Sequence, residues 1–116
     1  MKTFTIKIEI FDARCIVQLG GTLQQAEALY SKKIAPVQFT GNQPNMLACC
    51  LHSELCKSSV IWFKPLKPGG GLVAHEALHA AFHVLELSAV RPTAQEHETL
   101  AYLQEFIIRQ IGLRVW

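Results

Sequence analysis

Five residues in the second half of this 116-residue chain read His75-Glu76-Ala77-Leu78-His79. On a helix, positions four apart share a face with Cβ atoms about 5–6 Å apart, so two imidazoles can converge on one Zn²⁺ at about 2.0–2.1 Å. Glu76 lies about 100° round the helix from His75, close enough to hold a water beside the metal and too far round to be an easy ligand. Its chemistry is that of a general base. Zinc lowers the pKa of bound water toward about 7, and a neighbouring carboxylate can take the proton and pass it to a leaving amine. Composition alone yields His-Glu-x-x-His about 0.014 times in such a chain. The plainer alternative is a pair of polar residues on a half-exposed helix face. Against it stand Val73, Ala74, Ala77, Leu78, Ala81, Phe82, Val84 and Leu85, which make the helix apolar nearly all round and leave its polar groups in need of partners.

A catalytic zinc takes three protein ligands and keeps a position for water. His83 is two turns beyond His75, about 12 Å along the axis, and Glu86 is further still. The metzincin arrangement is absent, because His79 is not followed by x-x-Gly-x-x-His. That directs attention to the last helix, where Glu98, Ala101, Tyr102 and Glu105 share one face and Leu100, Leu103, Ile107 and Ile111 form the packing stripe. Glu98 is the favoured third ligand and His97 its rival, while Glu96 is better explained by capping. Small Ala101 allows close approach to the metal helix. Tyr102 has a hydroxyl to offer a ligand or an oxyanion, although Tyr102 and Glu105 are equally well explained as an amphipathic rim.

The elements that must position these residues are legible in outline. Thr3 to Ile10 alternates, with Phe4, Ile6, Ile8 and Ile10 on one face, and predicts a half-buried strand. A turn over Phe11 to Arg14 leads to a second strand, Cys15 to Leu19, stopped by Gly20-Gly21. Thr22 is a candidate N-cap for a helix through about Lys33 that buries Leu23, Ala26, Leu29 and Tyr30. Pro36, Gly41 and Pro44 mark loops around a short piece at Val37 to Phe39. Met46 to Leu51 and Ser58 to Phe63 predict two strands joined through Ser53 to Lys57. Lys64 to Gly71 is a Pro/Gly loop; it lacks the Gly-Lys-Ser/Thr of a phosphate loop. Leu72 to about Ala89 is the metal helix, ending before Arg91-Pro92. Thr93-Ala94-Gln95-Glu96 reads as a capping box opening a last helix to about Gln110, with Gly112 as its stop. Strands, helix, strands and two helices make one α+β domain over residues 1–116.

Composition narrows the function classes. Half of the residues are hydrophobic, 17% are charged and the formal net charge is +2. There is no basic cluster of the kind a dedicated nucleic-acid binder carries, so no direct nucleic-acid partner is expected. The alternating start is not a signal peptide, and the most apolar helix is interrupted by His75, Glu76, His79, His83 and Glu86, so no membrane partner is expected either. Cys15, Cys49, Cys50 and Cys56 read as thiols in a reducing compartment. Cys49, Cys50, His52 and Cys56 lack the spacing of zinc knuckles, and a strand points Cys49 and Cys50 to opposite faces.

Two segments carry a family resemblance. Leu72-Val73-Ala74-His75-Glu76-Ala77-Leu78-His79-Ala80-Ala81-Phe82-His83-Val84-Leu85 and Glu98-x-x-Ala101-Tyr102-Leu103 resemble the small metallopeptidases encoded by tailed bacteriophages and prophages, a gluzincin-type group of zincins. The resemblance covers about Val60 to Ile111. It departs at His97, where members tend to carry the first residue of an acidic pair. It implies a minimal zincin-like domain, a small antiparallel or mixed sheet packed on an active-site helix and a C-terminal helix. It further implies Zn²⁺ held by His75, His79 and Glu98, Glu76 as catalytic base, and a peptide or protein substrate paired to the free edge of Ser58–Phe63 or Met46–Leu51. The setting would be the host cytoplasm or the virion, with a second copy or a phage structural protein as partner. The alternative expectation is a zinc-stabilised phage structural or assembly protein with little turnover. A site kept for stability alone would prefer four closed ligands and has no use for Glu76.

Overall fold

The computed structural model describes residues 1–40, 45–90 and 97–116. The chain order is β1 (Lys2–Ile8), β2 (Ala13–Leu19), α1 (Leu23–Lys33), β3 (Ala48–Ser53), β4 (Cys56–Phe63), α2 (Gly70–Leu87) and α3 (His97–Val115). The four strands form one mixed sheet in the order β1-β2-β4-β3. β1 and β2 are an antiparallel hairpin, β2 and β4 run parallel, and β3 and β4 are antiparallel. The protein is a small α+β domain whose sheet is packed against three helices.

Hydrophobic patterning decides the layering. β2 and β4 are buried along almost their whole length, as central strands covered on both faces must be. On one face Phe4, Ile6, Ile8, Val17, Ile61 and Phe63 meet the apolar sides of α2 and α3. On the other, Ile16, Leu51, Val60 and Trp62 meet Leu23, Ala26 and Tyr30 of α1. α1 is therefore a third layer, opposite the metal-helix candidate. It is capped as its sequence predicts: Thr22 accepts from the Gln25 amide and the Gln25 side chain accepts from the Thr22 amide. The preceding Gly20-Gly21 has φ of 77° and 71°, a left-handed backbone that favours glycine, and a Cβ on Gly20 would lie 2.8 Å from the Leu66 side chain.

Three expectations need correction. β1 ends at Ile8, and a 3-10 turn over Glu9–Phe11 with left-handed Asp12 reverses the chain, so Ile10 stands 87% exposed although it continues the alternating pattern. α3 does not stop at Gly112. It runs on to Val115, and the indole of Trp116 folds back so closely that a Cβ on Gly112 would meet it at 2.9 Å. α2 begins at Gly70, inside the stretch read as a Pro/Gly loop, and not at Leu72; Val37 and Phe39 pad the α1 side of the core. The loops at Gly41 and Pro44 and the capping box at Thr93–Glu96 lie outside the described residues, whereas α2 ends at Leu87, ahead of Arg91-Pro92.

α2 and α3 are antiparallel. Gln104 Nε2 donates to the Ala74 carbonyl at 3.0 Å, and Trp116 Nε1 donates to the Pro68 carbonyl at 3.1 Å, so residue numbers rise along one helix as they fall along the other. Leu103, Ile107, Ile111 and Val115 are the buried face of α3. Among the described residues, no helix is long and apolar enough to cross a membrane.

Candidate metal centre

α2 sorts its side chains by helical angle. Val73, Ala77, Ala80, Ala81 and Val84 are buried in the core, Glu76 and His83 are buried polar residues, and His75, Leu78, His79, Phe82 and Glu86 face outward. His75 and His79 sit one turn apart with their Nε2 atoms 3.2 Å from each other and their rings edge to face. Two ligands about 2.0–2.1 Å from one tetrahedral zinc stand about 3.3 Å apart, so the imidazole pair has the spacing a shared zinc requires. The His75 side chain is 65% exposed, which leaves the outer side of the pair open to a metal and to solvent.

Glu76 is different in kind. It is only 5% exposed, and its Oε1 lies 4.0 Å from His75 Nε2. Burial pushes its carboxyl above the usual carboxylate range, while the nearby His75 and His79 and the Cys50 backbone N–H act in the opposite direction. A carboxyl held close to an exposed imidazole pair, with affinity for a proton raised by its surroundings, has the properties of a general base.

The Cys50 contact also locates Glu76 in the fold. Among the described residues, β3 is an edge strand, paired only with β4. The sequence left the choice of edge between two strands; Ser58–Phe63 lies inside β4, which is interior, so the edge is β3. Lys64 N–H donates to the Leu47 carbonyl, and antiparallel pairing alternates from there. Cys49 is thereby turned toward β4, and the backbone groups of Ala48 and Cys50 toward the free edge. The Cys50 N–H on that edge acts on the Glu76 carboxyl, which sets the imidazole pair beside the edge strand.

Glu98 and His97 are exposed in the first turn of α3. Among the described residues, no three His, Cys, Asp or Glu side chains are gathered closely enough to hold a metal, so the structure brings His75, His79 and Glu76 together but does not join Glu98 to them. Tyr102 is exposed and lines a separate apolar groove with Ile8, Ile10, Phe11 and Phe106; Glu105 pairs with Arg109 at 2.8 Å on the surface.

Among the described residues, the cysteines join no metal-holding cluster. All four are free thiols. Cys50 packs toward α2 and Cys49 toward α1, the opposite faces expected of strand neighbours. Burial raises the Cys15 thiol to about 11 and the Cys50 thiol well above its ordinary value, which disfavours a free thiolate at either position.

Sequence reasoning missed a second histidine pair. His83 is 7% exposed and its Nε2 donates to the Cys56 carbonyl at 2.7 Å, while the His52 ring lies over it at a centroid distance of 4.4 Å. Burial, followed by the charges of His83 and His79, pushes His52 below the usual imidazole range; Glu86 opposes. The two residues come from β3 and α2, 31 positions apart, and no local pattern links them. They border a groove of about 470 Å³ that begins at His79 and runs past Phe82 and Glu86.

Comparison with protein-family models, curated proteins and solved structures finds no match for this chain.

Proposed function

We propose that the protein is a zinc-dependent metallopeptidase with a minimal zincin-like fold, of the kind encoded by phages and prophages. The observation that carries the reading is the exposed His75–His79 pair at zinc-ligand spacing beside the buried carboxylate of Glu76. His75 and His79 would hold the ion, with Glu98 as third ligand. Zinc bound there supplies a Lewis acid and a water acidified toward about pKa 7. Glu76 takes the proton of the attacking water and returns it to the leaving amine nitrogen as the peptide bond breaks. The free edge of β3 pairs with an extended substrate through backbone hydrogen bonds, which sets the scissile bond alongside α2.

The α2–α3 register supports the choice of Glu98. It precedes Gln104 by six residues, about 9 Å of helix rise, and the same distance along α2 from Ala74 ends near Ala80, at the level of His79.

The test is hydrolysis of a mixed peptide library by zinc-loaded protein, read by mass spectrometry. New termini that disappear with a chelator and return with zinc are expected. Zinc binding without any cleavage would instead favour the phage assembly protein that keeps the ion for stability.

A further inference from the structure

We infer that the groove running from His79 along the outer face of α2 is a subsite for a guanidinium-bearing side chain, which makes arginine-containing peptides the preferred substrates. The inference rests on the peptidase reading for its link to catalysis, but not for binding.

The groove has a volume of about 470 Å³, within the usual range of about 300–1,000 Å³ for ligand sites, and His79 lines one part of it. A substrate held at the imidazole pair therefore has this space open to a neighbouring side chain. Of the polar groups that line the space, two are carboxylates, and His52, Ser53, His79 and His83 can each donate or accept. Glu54 and Glu86 each bring a carboxylate, and among the described residues neither makes an ion pair. His83 is more than nine-tenths buried and lines the groove. A carbonyl can only accept, so the bond to Cys56 fixes the proton on His83 Nε2. Its Nδ1, with no hydrogen-bond partner among the described residues, carries a lone pair in the neutral ring. Among the described residues, no Lys or Arg lines the groove to neutralise the acids.

Two carboxylates around one space call for a ligand that is cationic and carries several donors. A guanidinium has five N–H donors in a flat fork, whereas an ammonium is a compact point charge with three. The partly exposed ring of Phe82 and the His52 imidazole supply flat faces on which a guanidinium can lie. An acidic side chain would meet Glu54 and Glu86 with like charge.

The experiment compares blocked pentapeptides that differ at one position, arginine against citrulline, which keeps the shape and loses the charge, and against lysine and glutamate. Binding is measured by fluorescence anisotropy with the full-length protein, in the presence and absence of zinc. The arginine peptide is expected to bind at least about tenfold more tightly than the citrulline peptide, with lysine between them and glutamate weakest. In E54Q/E86Q, whose changes are isosteric and exposed, the arginine-to-citrulline ratio should fall toward unity. Equal affinity for arginine and citrulline in the wild type overturns the inference, as does a ratio that survives in the double variant. The peptidase reading fails separately: an arginine preference in binding with no cleavage of any peptide removes that reading and leaves the subsite, whereas cleavage indifferent to arginine removes the subsite alone.

Discussion

Replacing Glu76 with glutamine separates the proposed catalytic role of this residue from its structural one. The side chain is buried, feels the nearby Cys50 N–H and lies 4.0 Å from His75. Glutamine has the same shape and keeps an acceptor for that N–H, so the packing of α2 against β3 is preserved. What disappears is the proton acceptor, and loss of a positioned general base costs about 10²–10⁴-fold in turnover. Stability should move the other way. Burial raises the carboxyl above its ordinary value of 4.5, so the folded state holds the proton more tightly than the unfolded state does. The associated stability is fully present below the unfolded pKa and is lost as pH rises through the raised folded value. The metal-free Glu76→Gln protein, which has nothing to ionise there, should therefore melt above metal-free wild type at neutral pH and converge with it below the 4.5 reference. The assays are peptide hydrolysis with zinc and thermal unfolding in chelator at several pH values. Hydrolysis by Glu76→Gln within a few-fold of wild type, or a neutral-pH melting temperature below wild type, would refute the reasoning.

Other perturbations address different parts of the molecule. His79→Ala removes one of the two converging imidazoles and should weaken zinc binding by at least about 100-fold, read by competition with a chromophoric chelator. Ile107→Ala empties a fully buried position between α3 and the rest of the core and should cost about 2–5 kcal/mol in denaturant unfolding, which a loss below about 1 kcal/mol would contradict. Gln104→Ala deletes the side-chain bond to the Ala74 carbonyl and should cost about 0.5–1.5 kcal/mol, since the bond is only partly buried.

Local periodicity carries the elements well because each depends on near neighbours. The alternation of Phe4, Ile6 and Ile8, the Thr22 cap and the His-Glu-x-x-His turn all correspond to observed geometry. Ile10 shows where the method stops: it continues the pattern, but the chain has already left the sheet through left-handed Asp12. Gly112 is a stop signal in isolation and a place for the Trp116 indole in the folded chain. Strand order was not legible, because β2 and β4 pair in parallel across a long intervening stretch that contains α1 and β3. That pairing alone makes β3 the edge. Of the proposed metal site, the imidazole pair was legible because its two residues share a helix, and a third ligand from α3 was not, since the distance from Glu98 to His79 depends on how α3 packs on α2. The His52–His83 pair was hidden for the same reason.

The central claim is that His75, His79 and Glu98 hold a zinc ion. It is tested most directly by elemental analysis of protein prepared in zinc-replete conditions, in wild type and in His75→Ala, Glu98→Ala and His97→Ala. The account predicts about one zinc per chain in wild type and in His97→Ala, with loss in the other two variants. Wild-type protein free of zinc, or a Glu98→Ala protein that retains the ion while His97→Ala loses it, would contradict it.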